Sequence, residues 1–164
     1  MIDHWEDMTS VFSILAYIVK ECDDDGLDLY FTMSSENNHN NHTTPLVDLI
    51  KKRRPRGTSE ISFRLDAILE NYKSRLLNQH SLRRPGHSMF APKEDVRPLN
   101  LYIFTDGAWQ EGSDAAPAIK NVVKLLQKLG LPAKQVGIQF ISFGDNQENL
   151  KKLETLDDDL GLNL

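Results

Sequence analysis

Three short apolar runs, at 27–33, 99–104 and 136–144, are separated by stretches carrying the three-and-four apolar repeat of helices, and this alternation restricts the fold more than any other feature. Strands joined by crossovers of helical length become parallel neighbours, since a tight hairpin yields only an antiparallel pair. The expected class is therefore α/β, an open, three-layer, mostly parallel sheet with helices on both faces. A chain of 164 residues with 40% apolar content makes one domain, 1–164, with a real core. No repeat of about 20–50 residues is visible, which sets a solenoid aside.

The first helix is read from Trp5, Met8, Phe12, Leu15, Val19 and Cys22, one face of a 3.6-residue repeat, and it stops at Asp23-Asp24-Asp25-Gly26. Residues 34–44 are rich in Asn, Ser and His and predict a surface loop. A short helix over 45–54 follows. Thr58 or Ser59 then caps a long helix whose inner face is Ile61, Leu65, Ile68, Tyr72 and Leu76. Residues 79–98 carry Pro, Gly and mixed charge without periodicity and predict a long flexible loop. The strand at 99–104 is an almost continuous apolar run, as expected of a strand buried on both faces. Ile119, Val122, Leu126 and Leu129 form the inner face of a helix over 113–130, and a last helix covers 146–156. One feature conflicts with the pattern. The first amphipathic helix begins almost at residue 1, whereas an α/β unit opens with a strand.

Net charge is −5 and the pI about 5.5, so no basic field exists to hold a nucleic acid or an anionic membrane non-specifically. The single cysteine, Cys22, is read as a buried helix-face residue and excludes an internal disulfide, in keeping with a reducing, cytoplasmic setting. No stretch of about 18 apolar residues suggests a membrane span, and no export signal is apparent. The dense basic run from Lys51 to Arg56 has two readings, a nuclear import signal or the solvated end of a helix. The scattered histidines lack zinc-site spacing. Phosphate loops, nucleophile elbows and dinucleotide fingerprints do not occur, so the chain is expected not to be an enzyme.

In parallel sheets ligands bind beyond the carboxyl ends of the strands. Asp106, in Thr105-Asp106-Gly107, stands at such an end, with Gly107 turning the chain so that the carboxylate is left exposed. Thr58, after Arg56-Gly57, could present a hydroxyl at the same rim. A carboxylate and a hydroxyl suit Mg²⁺ or Mn²⁺. The plainer alternative is a strand-end turn and a helix cap.

The run from Leu99 to Ala108 resembles the strand and Thr-Asp-Gly segment of von Willebrand factor A domains, particularly the stand-alone fungal type. Asp25-Gly26-Leu27-Asp28-Leu29-Tyr30-Phe31, Arg54-Pro55-Arg56-Gly57-Thr58, and Val136-Gly137-Ile138-Gln139-Phe140 with Leu156-Asp157-Asp158-Asp159-Leu160-Gly161 agree in order and spacing. The resemblance implies a Rossmann-like sheet and an adhesion-type protein–protein interaction module, with a partner's Asp or Glu completing a metal's coordination shell. It assigns Thr58 and Asp106 to the metal site.

The family's Asp-x-Ser-x-Ser loop has no counterpart here; Met1 fits the methionine that often follows it. The chain is thus expected to lack the first, central strand, and to stop early at its carboxyl end as well. With one charged ligand and one hydroxyl left, Mg²⁺ or Mn²⁺ is expected to bind weakly if at all. Strands at Leu27 and Leu99 are expected to have no partner between them, giving a destabilised, aggregation-prone product unless a strand arrives in trans. Two alternatives stand beside the interaction module: a Mg²⁺-dependent hydrolase using Asp106, and a degenerate copy that binds neither metal nor ligand.

Overall fold

The computed structural model describes residues 1–23, 25–57, 59–82 and 95–158. After a 3₁₀ turn at Ile2–His4 come α1 (Trp5–Lys20), β1 (Leu27–Tyr30), β2 (Asn37–Asn40), α2 (Thr43–Lys52), α3 (Ile61–Leu82), β3 (Leu99–Thr105), α4 (Ala116–Leu129), β4 (Val136–Ser142) and α5 (Gln147–Asp158). Helix and strand are mixed, consistent with an α/β class.

Among the described residues the strands form two separate two-stranded sheets. β3 and β4 pair in parallel, in register from Leu99↔Val136 to Thr105↔Ser142, as the crossover through α4 requires. β1 instead pairs antiparallel with β2, from Leu27↔Asn40 to Tyr30↔Asn37. This corrects the reading of 34–44 as a plain loop. Asn and His are poor strand formers in isolation, but here they supply an edge to β1, and His39 Nδ1 lies 3.1 Å from Asp28 Oδ1 across the hairpin. Gly26 makes the entry possible. Its φ is +92°, and a Cβ would lie 2.6 Å from the Asn40 carbonyl oxygen, so only glycine fits without a shift.

Among the described residues the apolar side chains gather in three clusters. The largest joins Ile61, Leu65 and Leu69 of α3 to Ala118, Ile119 and Val122 of α4, with Leu99, Leu101 and Ile103 of β3 packed on it. A second joins Met8, Phe12 and Ala16 of α1 to Leu46 and Ile50 of α2, against Leu27, Leu29, Phe31, Phe104 and Phe143. The third contains Tyr72, Leu76 and Leu126. The inner face of α3 runs through Leu69 rather than Ile68; both positions satisfy a 3.6-residue repeat, and the contact with α4 selects the former.

β3 is not buried on both faces. Its odd positions face α3 and α4, while Asn100 and Tyr102 on the other face are exposed. α1 covers only Phe104 of that face, Phe12 meeting its ring edge to face with centroids 5.8 Å apart. α1 itself is apolar on two sides: besides its packed stripe it exposes Ile14, Tyr17 and Ile18. Cys22 is exposed beyond the helix end, correcting its placement on a buried face. Of the flexible loop expected over 79–98, residues 79–82 belong to α3, and 83–94 lie outside the described residues.

Tyr72 closes the junction between α3 and the entry to β3. Its buried hydroxyl donates to the Arg97 carbonyl at 2.7 Å and accepts from Gln135 Nε2 at 2.7 Å. Burial raises the phenol above its ordinary value of 10.0, opposed by the Gln135 hydrogen bond and the Arg75 charge. The folded state therefore holds this proton more tightly than the unfolded chain. Its contribution is complete below pH 10 and is lost as pH rises through the folded pKa. Tyr72→Phe should cost about 1–3 kcal/mol at neutral pH and flatten the fall in stability above pH 10, as read by urea melts across that range.

Candidate functional site

Asp106 follows the last residue of β3, at the carboxyl rim of the parallel pair. The turn is fixed from three directions. Thr105 Oγ1 accepts from the Gly107 N–H and from Trp109 Nε1, both at 2.9 Å. Asn149 Nδ2, on α5, donates to the Asp106 carbonyl at 2.9 Å. Gly107, at φ +71°, lies so close to Asn149 that a Cβ would meet the Asn149 Cβ at 2.6 Å.

The Asp106 carboxylate is less open than expected. Its side chain is 18% exposed, because Oδ1 accepts from the Ala108 N–H at 3.2 Å and Oδ2 is ion-paired with the Met1 ammonium. Gly107 thus turns the backbone back onto the carboxylate instead of baring it. Burial lowers the pKa of that ammonium below its ordinary value, with Asp3 opposing the shift. The 3₁₀ turn behind Met1 rests on the neighbouring strand end, where a Cβ on Gly144 would come within 2.8 Å of His4 Nε2.

Thr58 lies outside the described residues, but its neighbour Ser59 is placed. Ser59 forms a parallel bridge with Trp109, its carbonyl accepts from the Gln110 N–H at 2.9 Å, and its hydroxyl lies 3.3 Å from Thr32 Oγ1 beyond the end of β1. The segment between α2 and α3 therefore runs along the same rim as Asp106, linking the exits of β1 and β3. Asp25 sits at the opposite rim, paired with Arg97.

These residues suit a tight Mg²⁺ or Mn²⁺ site poorly. One carboxylate is present, one of its oxygens is committed to an N–H and the other faces a cation, whereas Mg²⁺ needs several placed oxygens. Among the described residues no group of three or more His, Cys, Asp or Glu side chains could hold a metal ion. Sequence reading missed Met1, Trp109 and Asn149. The ring of Trp109, four residues beyond Thr105, was a local signal, since a hydroxyl at a strand end commonly captures donors in the following turn; Met1 and Asn149 arrive from distant parts of the chain and leave none.

In the basic run, Lys51 and Lys52 end α2, where cations complement the helix dipole. Arg53 pairs with Glu36 and stacks on Phe31 at 4.2 Å. No family model, curated protein or solved structure matches the chain. Among the described residues no helix is long and apolar enough to cross a membrane.

Proposed function

We propose that the chain is a non-enzymatic, intracellular protein-interaction domain of the von Willebrand factor A type, with a three-layer, mostly parallel sheet as the parent architecture and a partner bound at the rim that carries Asp106 and Thr58. The observation that supports this reading most is the position of Asp106 beside the Ser59 segment, past the ends of a parallel strand pair. A carboxylate turn and a hydroxyl-bearing loop brought to one rim from distant parts of the sequence are what the family's site requires. Asp106 Oδ2 is engaged at this point by an ion pair with the Met1 ammonium. Metal is not expected to be held tightly, for the reasons of donor count given above, so recognition rests on the protein surface of the rim.

The test is to supply the family's first strand and its loop. A variant extended before Met1 by an apolar strand followed by Asp-x-Ser-x-Ser should gain Mg²⁺ binding in calorimetry. Asp106→Ala within it should weaken that binding by roughly a hundredfold, because a charged ligand is lost from a site with few others. A folded extended variant that binds no Mg²⁺, or binds it equally without Asp106, would refute the assignment.

A further inference from the structure

The basic run between α2 and α3 carries cations that the fold does not use. Arg53 is engaged by Glu36 and by the Phe31 ring. Arg54 and Arg56 are exposed, and neither forms an ion pair among the described residues. They stand five and three residues before Ser59. Of all the serines and threonines in the sequence, Ser59 alone has arginine at both positions; Thr58 has Arg53 five residues before it but Pro55 at the nearer one. Protein kinases choose substrates in part by the charge pattern around the acceptor hydroxyl. A kinase whose acidic pockets take these two positions needs both arginines free, as they are here.

The acceptor lies in backbone that such an enzyme can take up. The segment leaves α2 extended, with Arg53 at φ −88° and ψ 156°, and the described residues between α2 and α3 lie outside any helix. Ser59 is half-buried. It is held by its bridge to Trp109 and by the Gln110 N–H on its carbonyl, contacts few enough to open locally without unfolding the core. Gly57, at φ +69°, has only the Met33 methyl within 4 Å of an added Cβ, so the chain before Ser59 can swing. Ser59 Oγ accepts from the Thr32 hydroxyl at 3.3 Å, and its own proton has no acceptor among the described residues.

A phosphate on Ser59 meets a cation already in position. Thr32 follows Phe31, whose carbonyl accepts from Arg64 Nε at 3.2 Å. Arg64 reaches this spot from the first turn of α3, is half-buried and forms no ion pair among the described residues. One bond from Nε leaves the outer N–H groups of its fork for an oxyanion. The positive end of the α3 dipole begins two residues beyond Ser59. Glu60, the adjacent carboxylate, is exposed, so solvent screens its repulsion.

We propose that Ser59 is a phosphorylation site for an arginine-directed protein kinase that reads Arg54 and Arg56, and that Arg64 receives the phosphate. In the transfer the Ser59 oxygen bonds to the γ-phosphorus of MgATP as the bond to ADP breaks, and the hydroxyl proton passes to a carboxylate of the kinase. The product adds about two negative charges where the fold supplies a guanidinium and a helix N-terminus, and it ties the segment after α2 to α3. From the proposed function this inference takes only the intracellular setting, not the rim assignment.

The full chain is incubated with MgATP and the catalytic domain of a kinase of this class, and the product is mapped by mass spectrometry. One phosphate is expected, on Ser59. Arg54→Ala and Arg56→Ala should each lower kcat/KM of the kinase roughly tenfold. In a ³¹P titration the phosphate on the folded chain should ionise about one pH unit lower than that on the phosphorylated peptide 50–63, and Arg64→Gln should remove the difference. A kinase that modifies the peptide but not the folded chain overturns the proposal. So does a phosphate on Thr58 in place of Ser59, or a titration midpoint on the folded chain equal to that of the peptide. The assay uses neither the extended variant nor its Mg²⁺ binding, so this proposal and the rim assignment fail separately.

Discussion

Phe12→Ala should lower stability by about 3–5 kcal/mol, the usual cost of emptying a buried phenylalanine site, and should do so by uncoupling one half of the molecule from the other. Phe12 is 9% exposed and meets Phe104 edge to face, with an interplanar angle of 66°. Of the three apolar clusters, the one around Phe12 alone contains side chains from both β1 and β3. No backbone ladder joins those strands, so apolar contact under α1 carries most of the coupling between the sheets. Removing the ring leaves a cavity at the joint, where neither sheet can collapse into the gap without losing its own pairing. Urea unfolding should show a lower midpoint and a reduced slope, since part of the structure opens before the rest. Leu69→Ala, within the α3–α4–β3 cluster, should cost about 2–5 kcal/mol with the slope unchanged. A Phe12→Ala variant that unfolds in one transition with the original slope would mean that the two halves are coupled by something other than this cluster.

How far the sequence could be read follows from where each signal resides. Helices α1, α3 and α4 were legible because their burial is a property of one face, and a repeat of 3.6 residues records it locally. The strands β1, β3 and β4 were legible as apolar runs, but their partners were not. Pairing is a tertiary choice, and the Asn-rich strand β2 has no propensity to announce it; it forms because β1 offers an edge. The burial of β3 was overestimated for a related reason. Continuous apolar sequence describes a strand suited to two covered faces, and here the second cover is incomplete at Asn100 and Tyr102. At the rim, Asp106 was visible from its place after an apolar run and before a glycine. The ammonium and amide that hold it come from Met1 and Asn149, more than forty residues away in each direction, and no local pattern encodes such contacts.

Gly107→Ala tests whether that rim is a rigid site or merely a turn, and it should destabilise the protein by about 2–5 kcal/mol. Roughly 1–2 kcal/mol of this comes from forcing an L side chain into a left-handed backbone conformation. About 1–3 kcal/mol more comes from overpacking, since the new methyl would lie 2.6 Å from the Asn149 Cβ and 3.1 Å from its carbonyl oxygen. Neither neighbour is the end of a flexible side chain, so relief requires α5 to move, which stretches the Asn149 hydrogen bond to the Asp106 carbonyl. Gly112→Ala separates the two contributions. Gly112 has φ +79° with nothing within 4 Å of the added carbon, so its substitution should cost only the backbone part, about 1–2 kcal/mol. Thermal melts of the two variants side by side read the difference. If the two fall equally, α5 does not brace the Asp106 turn, and the carboxylate is free to move with its loop. If Gly107→Ala falls further, the carboxylate is held in place by the fold before any partner arrives, which is what a preorganised binding rim requires.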